Sequence, residues 1–176
     1  MSVIIDGSAG VTTNSGAVYN GIQSGTAVSA SGTSIDFVSI PSWVKRITVM
    51  FNGVSTNNTS NGLIQLGISS GIITTGYSAT LGAGSNSSTV ATVSSSSGIP
   101  FFGGAASINL VGSIVITSLT NNTWVAQGVI NNTTSTIIFC ATSGSVTLSA
   151  TLDRIRITTV NGTDTFDAGS INILYE

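Results

Sequence analysis

The sequence predicts an all-β chain: a jelly-roll-like antiparallel β-sandwich over residues 25–176, preceded by a short extended arm over residues 1–24. Three observations carry this. Short runs of apolar and β-branched residues recur at the spacing of sandwich strands, punctuated by clusters of Gly, Asn and Ser. No stretch places apolar residues at i, i+3, i+4 and i+7 among helix formers, so no long helix is expected. Ser and Thr dominate a background of Gly, Asn, Val and Ile, and that β-branched content is too high for a disordered chain.

The elements follow in order. In the arm, Val3-Ile4-Ile5 is a minimal strand, and Asp6-Gly7-Ser8-Ala9-Gly10 and Asn14-Ser15-Gly16 are turn formers. The arm has too few apolar residues for a core of its own, so it is expected to dock on a neighbour or a larger assembly, the alternative being a frayed terminus. Strands are then expected over Ala27–Ala30 and Ser34–Phe37, the second halted by Ile40-Pro41 because proline has no N–H for a ladder. Trp43 opens a long strand with Val44, Arg46, Thr48 and Met50 on one face and Lys45, Ile47, Val49 and Phe51 on the other. Asn52-Gly53 is expected to close it as a turn, followed by a polar loop over Val54–Gly62. Leu63–Ile68 alternates, and Ile72–Ser78 is a further candidate strand. Gly82–Gly104 reads as loops around a possible strand at Thr89–Val93, with Ile99-Pro100-Phe101-Phe102 as an apolar cluster that either plugs the core or forms an exposed contact patch. Leu110–Leu119 is apolar on both faces and therefore central. Thr120-Asn121-Asn122-Thr123 signals a hairpin back through Trp124–Ile130. Thr136–Ala141, Val146–Ala150, Arg154–Val160 and Phe166–Tyr175 complete the set.

Composition narrows the function. The 176 residues fit one domain. Charged residues make up 6% of the chain, against about 25% in ordinary globular proteins. The net charge of −2 and only four cations supply no basic face for nucleic acid. Sparse charge suits a subunit that buries surface against copies of itself. No run of 18 apolar residues is available for a spanning helix, and no cationic start precedes an apolar run of the kind a secretory leader needs. Alternation alone leaves an outer-membrane barrel open, but its aromatic girdles are missing from a chain that is 6% aromatic.

The catalytic inventory is poor, and no enzymatic activity is expected. The chain has no His, which removes Ser-His-Asp and Cys-His nucleophiles and the commonest metal ligand. Cys140, in Ile137-Ile138-Phe139-Cys140-Ala141, reads as a buried small hydrophobe. Asp164 and Asp167 form the one carboxylate pairing that could help hold a calcium ion; capping of loop N–H groups is the reading adopted, with no metal and no cofactor. No phosphate-cradling glycine loop is present. Arg154 and Arg156 share a strand face, Lys45 and Arg46 point to opposite faces, and these four cations are candidates for a polar lock at a subunit interface, the alternative being a solvated sheet face with weak surface pairs. If the two similar strands lie near each other, Asp153 could pair with one of these cations. Trp43 and Trp124 read as core residues, whereas Tyr77, Phe101 and Phe102 are the loop aromatics open to contact, with Trp43 kept as an interface candidate.

Two blocks carry a family resemblance. One runs from Ser34-Ile35-Asp36-Phe37 through Ile40-Pro41-Ser42-Trp43-Val44-Lys45-Arg46-Ile47-Thr48-Val49-Met50-Phe51-Asn52-Gly53-Val54-Ser55-Thr56. The other begins Leu152-Asp153-Arg154-Ile155-Arg156-Ile157-Thr158-Thr159-Val160-Asn161-Gly162-Thr163-Asp164 and continues to Glu176. Both contain Arg-Ile-Thr followed by an apolar step and Asn-Gly. The sequence resembles small β-rich bacteriophage virion proteins, in particular the C-terminal head of tail-fibre and spike proteins. The resemblance implies a non-enzymatic head, trimeric, displayed on the particle, joined to other virion proteins through residues 1–24 and contacting a host glycan or protein through variable loops between Leu63 and Ala150. From composition and hydropathy, no nucleic-acid partner and no membrane insertion are expected. The chain lacks the coiled coil and long shaft of a fibre, and a capsid decoration protein stabilising the head is the alternative; a free carbohydrate-binding module is a further one.

Overall fold

The computed structural model describes residues 3–6, 10–13, 21–85, 90–103, 107–120, 122–133 and 137–176. These form sixteen strands and no helix: β1 (Val3–Asp6), β2 (Gly10–Thr13), β3 (Gln23–Ser24), β4 (Val28–Ser29), β5 (Ser34–Val38), β6 (Arg46–Thr56), β7 (Gly62–Ile68), β8 (Gly71–Ile72), β9 (Ser78–Ser85), β10 (Val90–Ser95), β11 (Ile99–Phe101), β12 (Leu110–Thr120), β13 (Thr123–Asn132), β14 (Ile137–Thr147), β15 (Leu152–Thr159) and β16 (Phe166–Tyr175).

Fourteen of the strands build two antiparallel sheets, and β1 and β2 form a separate pair. The larger has the order β10-β9-β14-β13-β12-β6-β16-β3, with β4 also on β16; the smaller has the order β11-β7-β15-β5, with β8 on β7. The two sheets pack face to face as an all-β sandwich. The larger sheet contributes Ile47, Val49, Phe51, Ile114, Ile116, Ile171 and Ile173 to the core, and the smaller contributes Ile35, Ile64, Leu66, Ile155, Ile157 and Phe101. The period of two along β6 therefore buries the Ile47, Val49 and Phe51 face, as its alternation predicts. β7 is buried along its whole length, as a strand covered on both faces must be. Phe101 lies over Gly62, where a Cβ would come within 2.0 Å of the ring, and meets Phe51 at a centroid distance of 5.0 Å.

Several boundaries differ from the sequence reading, each for a physical reason. Trp43 does not open β6; it lies in a turn before Arg46. Asn52-Gly53 does not close β6 but forms a bulge within it. Leu110 pairs with Val54 and Val111 with Asn52, so Gly53, at φ 69°, is the extra residue. Gly169, at φ 85°, is skipped likewise in β16 and lies against Gly53, where a Cβ would meet the Gly53 carbonyl oxygen at 2.3 Å. Two glycines accept positive φ side by side, and the strand continues to Thr56. Gly82–Gly84 is not a loop but the middle of β9, because pairing to β14 and β10 on both sides overrides low strand propensity. Thr136–Ala141 and Val146–Ala150 are not separate strands; Ile137–Thr147 is one strand, since Gly144 packs against Ala79 in register. In the arm, β1 pairs with β2 as a hairpin from Val3↔Thr13 to Asp6↔Gly10, and Gln23–Ser24, assigned to the arm from sequence, joins the larger sheet.

Candidate functional site

The outer face of the larger sheet follows from the register. Across β12, β13, β14 and β9, Val115, Gln127, Ser143 and Thr80 stand in one row, and Ser113, Val129, Ala141 and Gly82 in the next. These side chains alternate with the buried Ile114, Ile116, Ala126, Ile130, Cys140 and Leu81, so they point away from the core. Together they line an open trough of about 670 Å³, within the size range of ligand sites. Gly82 lies on its floor, where a Cβ would meet nothing within 4 Å, so the missing side chain leaves open space. Phe139, 47% exposed, lies across Gly84 at one end; Val125 and Leu119 are exposed toward the other.

The face carries no charge. No Asp, Glu, Lys or Arg occurs between Arg46 and Asp153. β9, β10, β12, β13 and β14 all lie in that interval, and Arg46, at the start of β6, borders the face opposite Thr117. This feature escaped the motif-by-motif reading, although the spacing of the ten charged residues already shows it.

The charged residues gather on the other strands and pair locally. Arg156 donates from Nε and Nη2 to both carboxylate oxygens of Asp36 at 2.8 and 2.7 Å, across the β15–β5 ladder. These bonds hold the Arg156 guanidinium above its ordinary range. Arg154 donates to its neighbour Asp153 at 2.7 Å from Nε, lowering that carboxyl, and from Nη2 to the Ser69 carbonyl at 3.4 Å. Arg46 pairs with Glu176. The two similar strands, β6 and β15, lie in different sheets, and Asp153 pairs with Arg154 beside it on β15. Among the described residues, the Lys45 side chain takes part in none of these pairs; it is exposed beside the buried Trp124 in a cleft of about 450 Å³ with Pro41, Ser42 and Thr151.

The aromatic candidates divide. Trp43 is 37% exposed and tilted against Tyr175 at 5.9 Å, so it is a surface residue and not a core one; Trp124 is core. Tyr77 and Phe101 are not open to contact, being 5% and 1% exposed. Tyr77 is drawn inward by its hydroxyl, which accepts from Leu66 N–H at 2.7 Å and donates to the Ile73 carbonyl at 3.1 Å. Burial pushes this phenol up to about 12. Phe101 is drawn in by the space above Gly62. Phe102 is half-buried against Leu81, Ala83 and Cys140. Cys140 is a buried hydrophobe whose thiol burial pushes up to about 11.

Asp164 serves a turn, and Asp167 the irregular start of the β16–β6 ladder. Asp164 is buried and accepts from Ser60 N–H at 3.0 Å through one oxygen and from the Asn161 amide at 2.6 Å through the other. Asn161 Oδ1 in turn accepts from the N–H groups of Thr163 and Asp164 and from the Thr159 hydroxyl. Asp167 accepts from the Ser55 hydroxyl. Among the described residues, no group of three or more His, Cys, Asp and Glu comes together that could hold a metal ion. No protein-family model, curated protein or solved structure matches the chain.

Proposed function

We propose that the chain is a non-enzymatic bacteriophage virion protein of the fibre or spike type, a jelly-roll-like head displayed on the particle, self-associating as a trimer and touching the host surface. The observation that supports the contact role is the uncharged trough on the larger sheet. An ionised partner entering it would lose hydration and find no counter-charge, so the face selects against charged surfaces. Hydroxyls of Thr80, Ser113 and Ser143 and the Gln127 amide offer donors and acceptors beside the apolar Val115 and Val129. That mixture suits a neutral glycan or an uncharged protein surface. The similarity of the Ser34–Thr56 and Leu152–Glu176 blocks to fibre heads supports the virion placement.

The test combines location with a filled trough. Gold-labelled antibody against the chain is imaged on intact phage, and host-cell binding is compared between the wild-type chain and Gly82→Trp. Label at the tail tip, with binding lost on filling Gly82, supports the reading. Label spread over the head would make it a decoration protein instead. No label on any particle sinks both placements.

A further inference from the structure

We propose that the β1–β2 hairpin of one protomer adds as extra strands to the β10 edge of the next, so that copies join head to tail through a continued β-sheet. The inference deepens the reading of the chain as a self-associating subunit and rests on it.

It starts from the sheet edges. A free edge is a row of unpaired N–H and C=O groups, and proteins blunt such edges with charge, proline, bulges or brevity. Three of the four edges of the two larger sheets are blunted. β11 has three residues, the middle one Pro100. β5 carries Asp36, and Ser39 at φ 62° followed by Pro41 ends it. The β3 and β4 edge is two pieces of two residues each. β10 differs: six residues, Val-Ala-Thr-Val-Ser-Ser, with no charge, no proline, no glycine and an unbroken register to β9. Nothing in its sequence opposes the addition of another strand.

The second half is the hairpin. β1 and β2 hydrogen-bond to each other and, among the described residues, to neither larger sheet. A lone two-stranded hairpin is marginal in water and gains stability from a third strand. Among the described residues the β10 edge has no strand on its outer side; the hairpin offers extended backbone for it, and β2, Gly-Val-Thr-Thr, is as free of charge as β10.

Reach decides which copy is served. The hairpin leads into β3, and β3 and β10 are opposite ends of the larger sheet. Lying beside β10 means crossing eight strand spacings from β3, about 38 Å at about 4.8 Å each. From Thr13 to Gln23 there are ten residue steps, at most about 36 Å when fully extended. Serving its own β10 would need the whole linker drawn taut along the sheet, so we take a second copy as the recipient. The contact is heterologous and closes into a ring when the rotation between copies allows.

The experiment uses two full-length variants. Ile4→Pro with Thr12→Pro breaks the hairpin. Thr92→Lys with Ser94→Lys charges the β10 edge at exposed positions and leaves the core face untouched. Sedimentation at micromolar concentration is expected to show an oligomer for the wild-type chain and the 17.6 kDa protomer for each variant alone. Mixing the two variants is expected to restore a one-to-one pair, because the second keeps a sound hairpin and the first a sound edge. Oligomers surviving in either variant, no pairing on mixing, or a monomeric wild-type chain would each overturn the proposal. Circular dichroism confirms that both variants keep the sandwich. Particle labelling is independent of this result, so a failed interface leaves the virion placement standing, and the reverse holds.

Discussion

Replacing Tyr77 with Phe tests the account of the smaller sheet. β7 is bordered on one side by β11 at residues 62–64 and by β8 at residues 67–68. The Tyr77 hydroxyl takes the Leu66 N–H in the gap between these partners and passes its own proton to Ile73 C=O. Tyr77→Phe keeps the ring and removes both bonds, each worth about 1 kcal/mol net, and leaves the fully buried Leu66 with an unpaired N–H at about 1–3 kcal/mol. Allowing for partial relaxation, the expected loss is about 2–4 kcal/mol. Read by urea unfolding at fixed protein concentration, with a slope of about 2 kcal/mol/M, that is a midpoint shift of roughly 1–2 M. Tyr175→Phe, whose hydroxyl lacks such an anchor, is the control and should stay within about 0.5 kcal/mol. The same phenol gives an alkaline signature. Its folded pKa lies at about 12 and its ordinary value at 10.0. The unfolded chain therefore ionises first, and stability intact below pH 10 falls by up to about 2–3 kcal/mol as pH rises through 12. The Phe variant should lack this component. A Tyr77→Phe shift no larger than the control, or an unchanged alkaline limb, would falsify the bridging role.

Three further outcomes are expected. Gly62→Ala should cost about 1–3 kcal/mol by driving a methyl into the Phe101 ring, and a double-mutant cycle with Phe101→Leu should show strong coupling in thermal unfolding. Asp164→Ala strands the Ser60 N–H and the Asn161 amide and should cost about 2–3 kcal/mol; added calcium should leave the wild-type melting temperature unchanged, because both carboxylate oxygens are already engaged, and a clear rise would expose an ion site. Cys140 should resist thiol reagents at pH 8 in the folded chain and react at once on unfolding, since burial holds its thiol protonated up to about 11; rapid labelling of the native chain would refute its burial.

The all-β sandwich was legible because its signals are local. Alternation in β6 and β16 and the Asn-rich turn between β12 and β13 each depend on a few neighbouring residues. What escaped the sequence depends on partners far along the chain. Gly82–Gly84 resembles a loop until β14 and β10 flank it, and Asn52-Gly53 resembles a turn until Gly169 provides a second bulge beside it. Tyr77 looked exposed because its acceptors and donors, at Ile73 and Leu66, are recognisable only once β7 and β8 are paired. Of the candidate cations, the sequence could show that Arg154 and Arg156 share a face but not that Asp36, some 120 residues earlier, would clasp Arg156. The trough was missed for a different reason: it is defined by an absence of charge spread over four strands, and a search for motifs looks for what is present.

That uncharged face has a kinetic consequence. With no net field to draw a partner in, its encounters proceed at the unsteered rate, about 10⁵–10⁶ M⁻¹s⁻¹, and salt has little to screen. Such a surface works alike in dilute and in briny media. Where copies are displayed together on one body, as proposed, holding on would depend on numbers: several contacts would meet the same surface at once, and each that lets go would be returned by its neighbours before the body drifted away.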